Sequence, residues 1–128
     1  MRTRRTNSFR WLFEPLEDGQ GYMEKPMFGC LAAYLHGRLV AVAADREEPW
    51  NGLLVPTGRE HHESLMRDFK ALRPHPVLGK WLFLNSAHED FEDTATALIE
   101  AMSGGDPRLG VEPKEKKKKG TKKNAPER

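Results

Sequence analysis

The chain is 128 residues long, with 38% hydrophobic and 31% charged residues and a formal net charge of +2. That length supports one domain around one modest core. A single cysteine excludes an internal disulfide, and no apolar run approaches the roughly 20 residues that a membrane-spanning helix needs.

The small net charge hides a segregation. Residues 1–10 carry four arginines and no acid, residues 11–111 hold nine Lys/Arg against sixteen Asp/Glu, and residues 112–128 hold eight against three. An acidic body is therefore expected between two basic arms. One cysteine and no signal-peptide core fit a reducing cytoplasm.

In chain order, Ser8 is a candidate cap for a first helix in which Phe9, Leu12, Phe13 and Leu16 follow i, i+3, i+4, i+7. Pro15 sits late enough to loosen or end it. Residues 18–21 read as a turn and 22–28 as an edge strand, the place where Pro26 is tolerated. Two apolar runs follow, 31–35 and 39–44, joined by His36-Gly37, a pair suited to a two-residue hairpin loop. Ala32 and Tyr34 share one face of the first run, with Leu31, Ala33 and Leu35 on the other. In the second run Val40, Val42 and Ala44 alternate with Leu39, Ala41 and Ala43, so both faces need cover.

Residues 50–55 form another strand. Thr57-Gly58-Arg59-Glu60 has the capping-box pattern and opens a helix through Leu65, Met66 and Phe69 that stops before Pro74. Residues 80–85 make a short buried strand, and Ser86-Ala87-His88-Glu89 is a second capping box. The last helix presents Phe91, Ala95, Leu98, Ile99 and Met102 on one face and ends at Gly104-Gly105. The order α-β-β-β-β-α-β-α predicts an α+β domain over residues 8–107, a small antiparallel sheet with its helices packed on one face. Residues 1–7 form a basic N-terminal arm. Residues 108–128 form a Lys-rich tail without apolar runs, which should be disordered. Phe28, Val42, Trp81, Phe83, Leu98 and Ile99 are the expected core.

Met27-Phe28-Gly29, the apolar strand after it, the x-Gly turn and the second strand resemble the TfoX N-terminal domain family, related to the YjbR-type small α/β proteins. The likeness runs through residues 8–105 in element order and through 25–44 in sequence. Lys25 stands near that family's basic position with Pro26 intervening, Cys30 takes the place of a second glycine, and Leu53-Leu54-Val55-Pro56-Thr57 replaces a Leu-Lys strand. The resemblance implies a small regulatory or protein-interaction module. It supplies no catalytic residues and no cofactor.

The residues themselves point the same way. His61-His62-Glu63 looks like a ligand cluster, yet neighbouring helical residues point about 100° apart, so a solvated helix face is the simpler reading and no metal is expected. His75 and His88 lie near turns without partners at a ligand spacing. Cys30 is a nucleophile only if a base converges on it, and otherwise a packed thiol. Glu89, Asp90, Glu92 and Asp93 suit a helix first turn. The expectation is a non-enzyme.

The tail carries the alternative. Lys114, Lys116, Lys117, Lys118, Lys119, Lys122 and Lys123 form a candidate polyanion-binding set, which suits a nucleic-acid-associated accessory protein. Without interleaved aromatics, base stacking is not implied. Because helices on one face leave Tyr34 and its neighbours open on the other, a two-fold homodimer through that face or across an edge strand is also expected.

Overall fold

The computed structural model describes residues 7–19, 21–27 and 29–112. Six strands form one sheet in the order β1-β2-β3-β4-β6-β5, every neighbouring pair antiparallel. They are β1 Met23–Met27, β2 Cys30–Leu35, β3 Arg38–Asp45, β4 Asn51–Val55, β5 Arg73–Pro74 and β6 Leu82–Asn85. Two α-helices, α1 His62–Asp68 and α2 Phe91–Ser103, accompany 3-10 segments at Arg10–Leu16 and Arg59–His61. The chain is thus α+β.

The β2–β3 hairpin turns as its sequence requires. His36 and Gly37 both have positive φ, 52° and 77°, and Leu35 pairs with Arg38 across them. The alternation expected along β3 does not hold. Ala33 pairs with Ala41 but Tyr34 with Leu39, so Val40 is an extra residue, a β-bulge. Val40 and Ala41 consequently both face the helices, while Leu39 and Val42 both face away.

Several local expectations need correction. The first helix is a 3-10 segment, not an α-helix, since Pro15 lies inside its seven residues and removes an amide. Ser8 does not cap it. Its amide donates to Asp45 Oδ2 (2.8 Å), while Asn7 Oδ1 accepts the Phe9 amide (2.9 Å). Neither predicted capping box forms a side-chain cap. Thr57 donates instead to the Arg108 carbonyl (2.6 Å), and the Ser86 amide continues the sheet by donating to Asn51 O (2.9 Å). A long-range partner wins over the local one in both places. The helix begun near Thr57 also stops at Asp68, and β5, two residues paired with β6, was not anticipated.

The body extends beyond its compositional limits at both ends. Asn7 Nδ2 donates to Ala43 O (2.9 Å), which ties the end of the basic arm to the sheet. Residues 108–112, assigned to the tail by composition, are part of the fold. Leu39 and Val111 exchange both main-chain bonds (2.8 and 2.9 Å), and the Gly110 amide donates to Pro56 O (2.9 Å).

The α-helices and the first 3-10 segment lie on one side of the sheet, whereas Arg59–His61 contributes no buried residue. There Leu12, Phe13 and Leu16, Leu65 of α1, and Phe91, Ala95, Leu98, Ile99 and Met102 of α2 close over Ala33, Leu35, Leu53, Val55, Leu82 and Leu84. Phe9 and Phe91 meet with ring centres 5.3 Å apart, joining the first segment to α2. Val42, Phe83, Leu98 and Ile99 are buried as expected, whereas Trp81 is only half-buried and Phe28 lies outside the described residues.

Candidate functional site

The far side of the sheet is apolar too. Cys30, Ala32, Tyr34, Leu39, Val42, Ala44, Leu54 and Phe83 form a second buried cluster, with Met27, Trp50, Leu78, Trp81 and Val111 packed against it. Among the described residues no α-helix covers this side. Its roof is the loop of residues 75–81, ordered by one histidine.

His75 is 1% exposed, between Trp50 and Phe83, with ring centres 4.6 and 5.1 Å away. Its Nδ1 accepts the Val77 and Leu78 amides (3.0 and 2.9 Å), and its Nε2 lies 2.8 Å from the Pro49 carbonyl. With two amides aimed at Nδ1, the neutral ring carries its proton on Nε2 and donates it to Pro49. The loop then closes on itself: the His75 amide donates to Trp81 O (3.0 Å) and the Trp81 amide to Leu78 O (2.8 Å). A histidine so engaged is a structural keystone, with neither ring nitrogen free to bind a metal or move a proton.

This roof stops short of β1 and the start of β3. What stays open is a groove of about 760 Å³, floored and walled by Met27, Tyr34, Leu39, Leu78, Trp81 and Val111. Its volume lies within the ordinary range of ligand clefts, roughly 300–1,000 Å³. Thr57, Arg59, Glu60, Lys80 and Glu112 supply its polar rim. Tyr34 is 5% exposed and carries the Lys25 ammonium 5.5 Å from its ring centre, so this face is not as bare as the sequence suggested.

The family-motif residues divide. Met27 lines the groove and pairs with Cys30, and Gly29, at φ 75°, turns the chain between them. A side chain on Gly29 would collide with the Arg46 guanidinium. Phe28 lies outside the described residues, as do Lys114, Lys116, Lys117, Lys118, Lys119, Lys122 and Lys123.

The other candidates do not converge. Cys30 is buried, and that burial pushes its thiol up, against a smaller opposing effect of Arg46. His62 Nε2 meets the Lys80 carbonyl (2.8 Å), while His61 faces Glu60 (3.6 Å). His88 Nδ1 accepts the Asp90 amide (3.0 Å). Among the described residues no group of three or more His, Cys, Asp or Glu side chains is placed to hold a metal ion. No helix among them is long and apolar enough to cross a membrane.

Sequence reasoning set His75 near a turn without a ligand partner but did not foresee that its ring would order the loop, the only signal being its position between Pro74 and Pro76. It also missed a cluster between α1 and the segment after α2. There the Arg108 guanidinium donates to Asp106 (2.8 and 3.1 Å), Asp68 (2.8 Å) and Ser64 (3.0 Å). The guanidinium holds the Asp106 carboxyl below its usual range. Comparisons with protein-family models, with curated proteins and with solved structures found no match to this chain.

Proposed function

We propose that this chain is a small non-enzymatic regulatory or interaction module that receives an apolar segment of a protein partner in the groove on the open side of its sheet. One observation carries the reading: the side of the sheet that no α-helix covers among the described residues holds a second apolar cluster, yet its roof leaves a 760 Å³ groove beside Met27, Leu39 and Val111. The resemblance of Met27-Phe28-Gly29 to the TfoX N-terminal domain family supports the same class of role.

The sheet's edges argue for approach through the face. Both outer strands contain a proline, Pro26 in β1 and Pro74 in β5, which has no amide to offer an added strand. A homodimer across an edge is therefore disfavoured, and a homotypic contact would use the groove side. A second reading, a nucleic-acid-associated accessory protein, draws its support from the lysines of residues 114–123.

Affinity capture from the native host, with and without nuclease, separates the readings. The full chain should retain the same proteins after nuclease, and the double variant Met27→Gln/Val111→Gln should lose them. Capture that nuclease abolishes and the double variant leaves intact would transfer the function to the tail.

A further inference from the structure

After α2 the chain crosses the sheet. Leu109 is buried in the core on the helical side, while Val111, two residues on, packs with the cluster on the other side. Residues two apart in a strand share a face. Gly110 breaks that rule at φ 96°, and its backbone lies so close to β3 that a Cβ there would stand 3.1 Å from Val40 Cγ1. The passage is a slot beyond the end of β4. On one side of the slot the Gly110 amide donates to Pro56 O (2.9 Å), and on the other Val111 and Leu39 exchange their two main-chain bonds. Residues 106–112 are thus a strap through the sheet, whose far end supplies Val111 and Glu112 to the groove.

Two side chains reach the strap's main chain. The Thr57 hydroxyl donates to the Arg108 carbonyl (2.6 Å), and the Arg38 guanidinium donates to the Gly110 carbonyl (2.7 Å). One strap side chain reaches the other way. The Arg108 guanidinium gathers Asp106 of the strap together with Ser64 and Asp68 of α1. It is 22% exposed and is not among the residues that line the groove. A planar guanidinium offers a fork of donors to two carboxylates at once, which the compact ammonium of a lysine does not.

We infer that Arg108 is the positioning residue of the groove: it bolts the strap to α1 and so keeps Val111 in the groove wall. This rests on the groove reading above and adds what holds that groove in shape. With the bolt removed, the strap loses its charged anchor, Val111 comes away from Leu39, and the wall opens. Helix α2, closed over the sheet by its own apolar stripe, stays in place. Helix α1, on the closed side of the sheet, thereby governs a site on the open side.

Two measurements on the full chain test it, amide hydrogen exchange and peptide binding. Short random peptides are displayed on phage, selected against the native chain, and titrated by anisotropy as fluorescein-labelled peptides. In Arg108→Ala, exchange at Leu39, Gly110 and Val111 should quicken about tenfold or more, as the loss of charge-assisted hydrogen bonds requires. Leu98 and Ile99 should keep their protection. Peptide affinity should fall about tenfold, and adding Val111→Gln should then cost less than Val111→Gln alone, because both act on one wall. Arg108→Lys should fall between native and Arg108→Ala. If Arg108→Ala does not fold, Asp68→Asn should give the same pattern at smaller amplitude. Unchanged exchange at Leu39 and Val111 overturns the inference, as does equal loss of protection at Leu98 and Ile99. So does peptide affinity that survives Arg108→Ala but not Val111→Gln, or full additivity of the two. The groove reading survives each of these results if Met27→Gln/Val111→Gln still abolishes binding. Peptides that bind this double variant as well as the native chain, or no enriched peptides at all, overturn both.

Discussion

On one side of the sheet, Leu53, Leu84, Leu98 and Ile99 are shut in by α2, α1 and the first 3-10 segment. On the other, Tyr34 and Leu39, themselves buried, and the half-buried Met27 line a groove that the loop roof leaves open. Both sides are made of aliphatic and aromatic residues, so composition does not explain the difference. The covering element does. A helix of thirteen residues carries a continuous apolar stripe and buries whatever lies along it. The loop of residues 75–81 is held by main-chain bonds to His75 and to itself, and it covers only what lies within its own short span. Closed and open sides thus follow from how the cover is ordered.

The strongest blow to this comparison is struck on the closed side. Leu98→Ala or Ile99→Ala should lower stability by about 2–5 kcal/mol, read from urea denaturation. An unchanged midpoint in both variants would place α2 off the core. Next comes the roof. His75→Ala leaves the Val77 and Leu78 amides and the Pro49 carbonyl unpaired, at a cost of about 1–3 kcal/mol. Hydrogen exchange should quicken at Val77 and Leu78 while the amides of α2 keep their protection. Equal loss of protection in both would mean that the two sides do not open independently.

A smaller effect belongs to the seam where the chain passes from α2 to the groove. Asp106, ordinarily at 3.8, is held lower by its hydrogen bonds to Arg108. A carboxylate depressed on folding adds stability that is complete above its unfolded pKa and disappears as pH falls through the folded one. The Asp106 contribution should therefore be flat from neutral pH down to about pH 5 and decline below pH 4. Asp106→Asn should remove that acid-side decline at a cost under about 1 kcal/mol. Smallest of all, Met27→Gln should change stability by no more than about 0.5 kcal/mol, as befits a partly exposed edge residue. A large loss there would mean that the groove wall is core and the comparison false.

The elements that a regular period describes were legible in the sequence. Phe91, Ala95, Leu98, Ile99 and Met102 face the sheet as their spacing says, and Ala32 and Tyr34 share the face opposite Ala33 and Leu35. What depended on distant partners was not. Thr57 has every local reason to cap a helix, yet its hydroxyl goes to a carbonyl 51 residues away. The roofing loop has no period at all, since its order comes from one imidazole reaching over a handful of amides. Met27 drew notice as part of a motif and Tyr34 as a face residue. Nothing in either signalled that Trp81, expected in the core, would stand half-open across from them. The lysines were legible as charge alone.

The bulge at Val40 makes the groove a matter of chain length as much as of side-chain identity. With Val42 facing away from the helices, strict alternation would turn Leu39 toward them. The extra residue resets the count, brings Leu39 to the groove wall, and lets its main chain take Val111 as a partner. An in-frame loss of the single codon for Val40 would therefore restore plain alternation with Leu39 and Val42 still on the groove side, removing only the helix-facing Val40 from the opposite core.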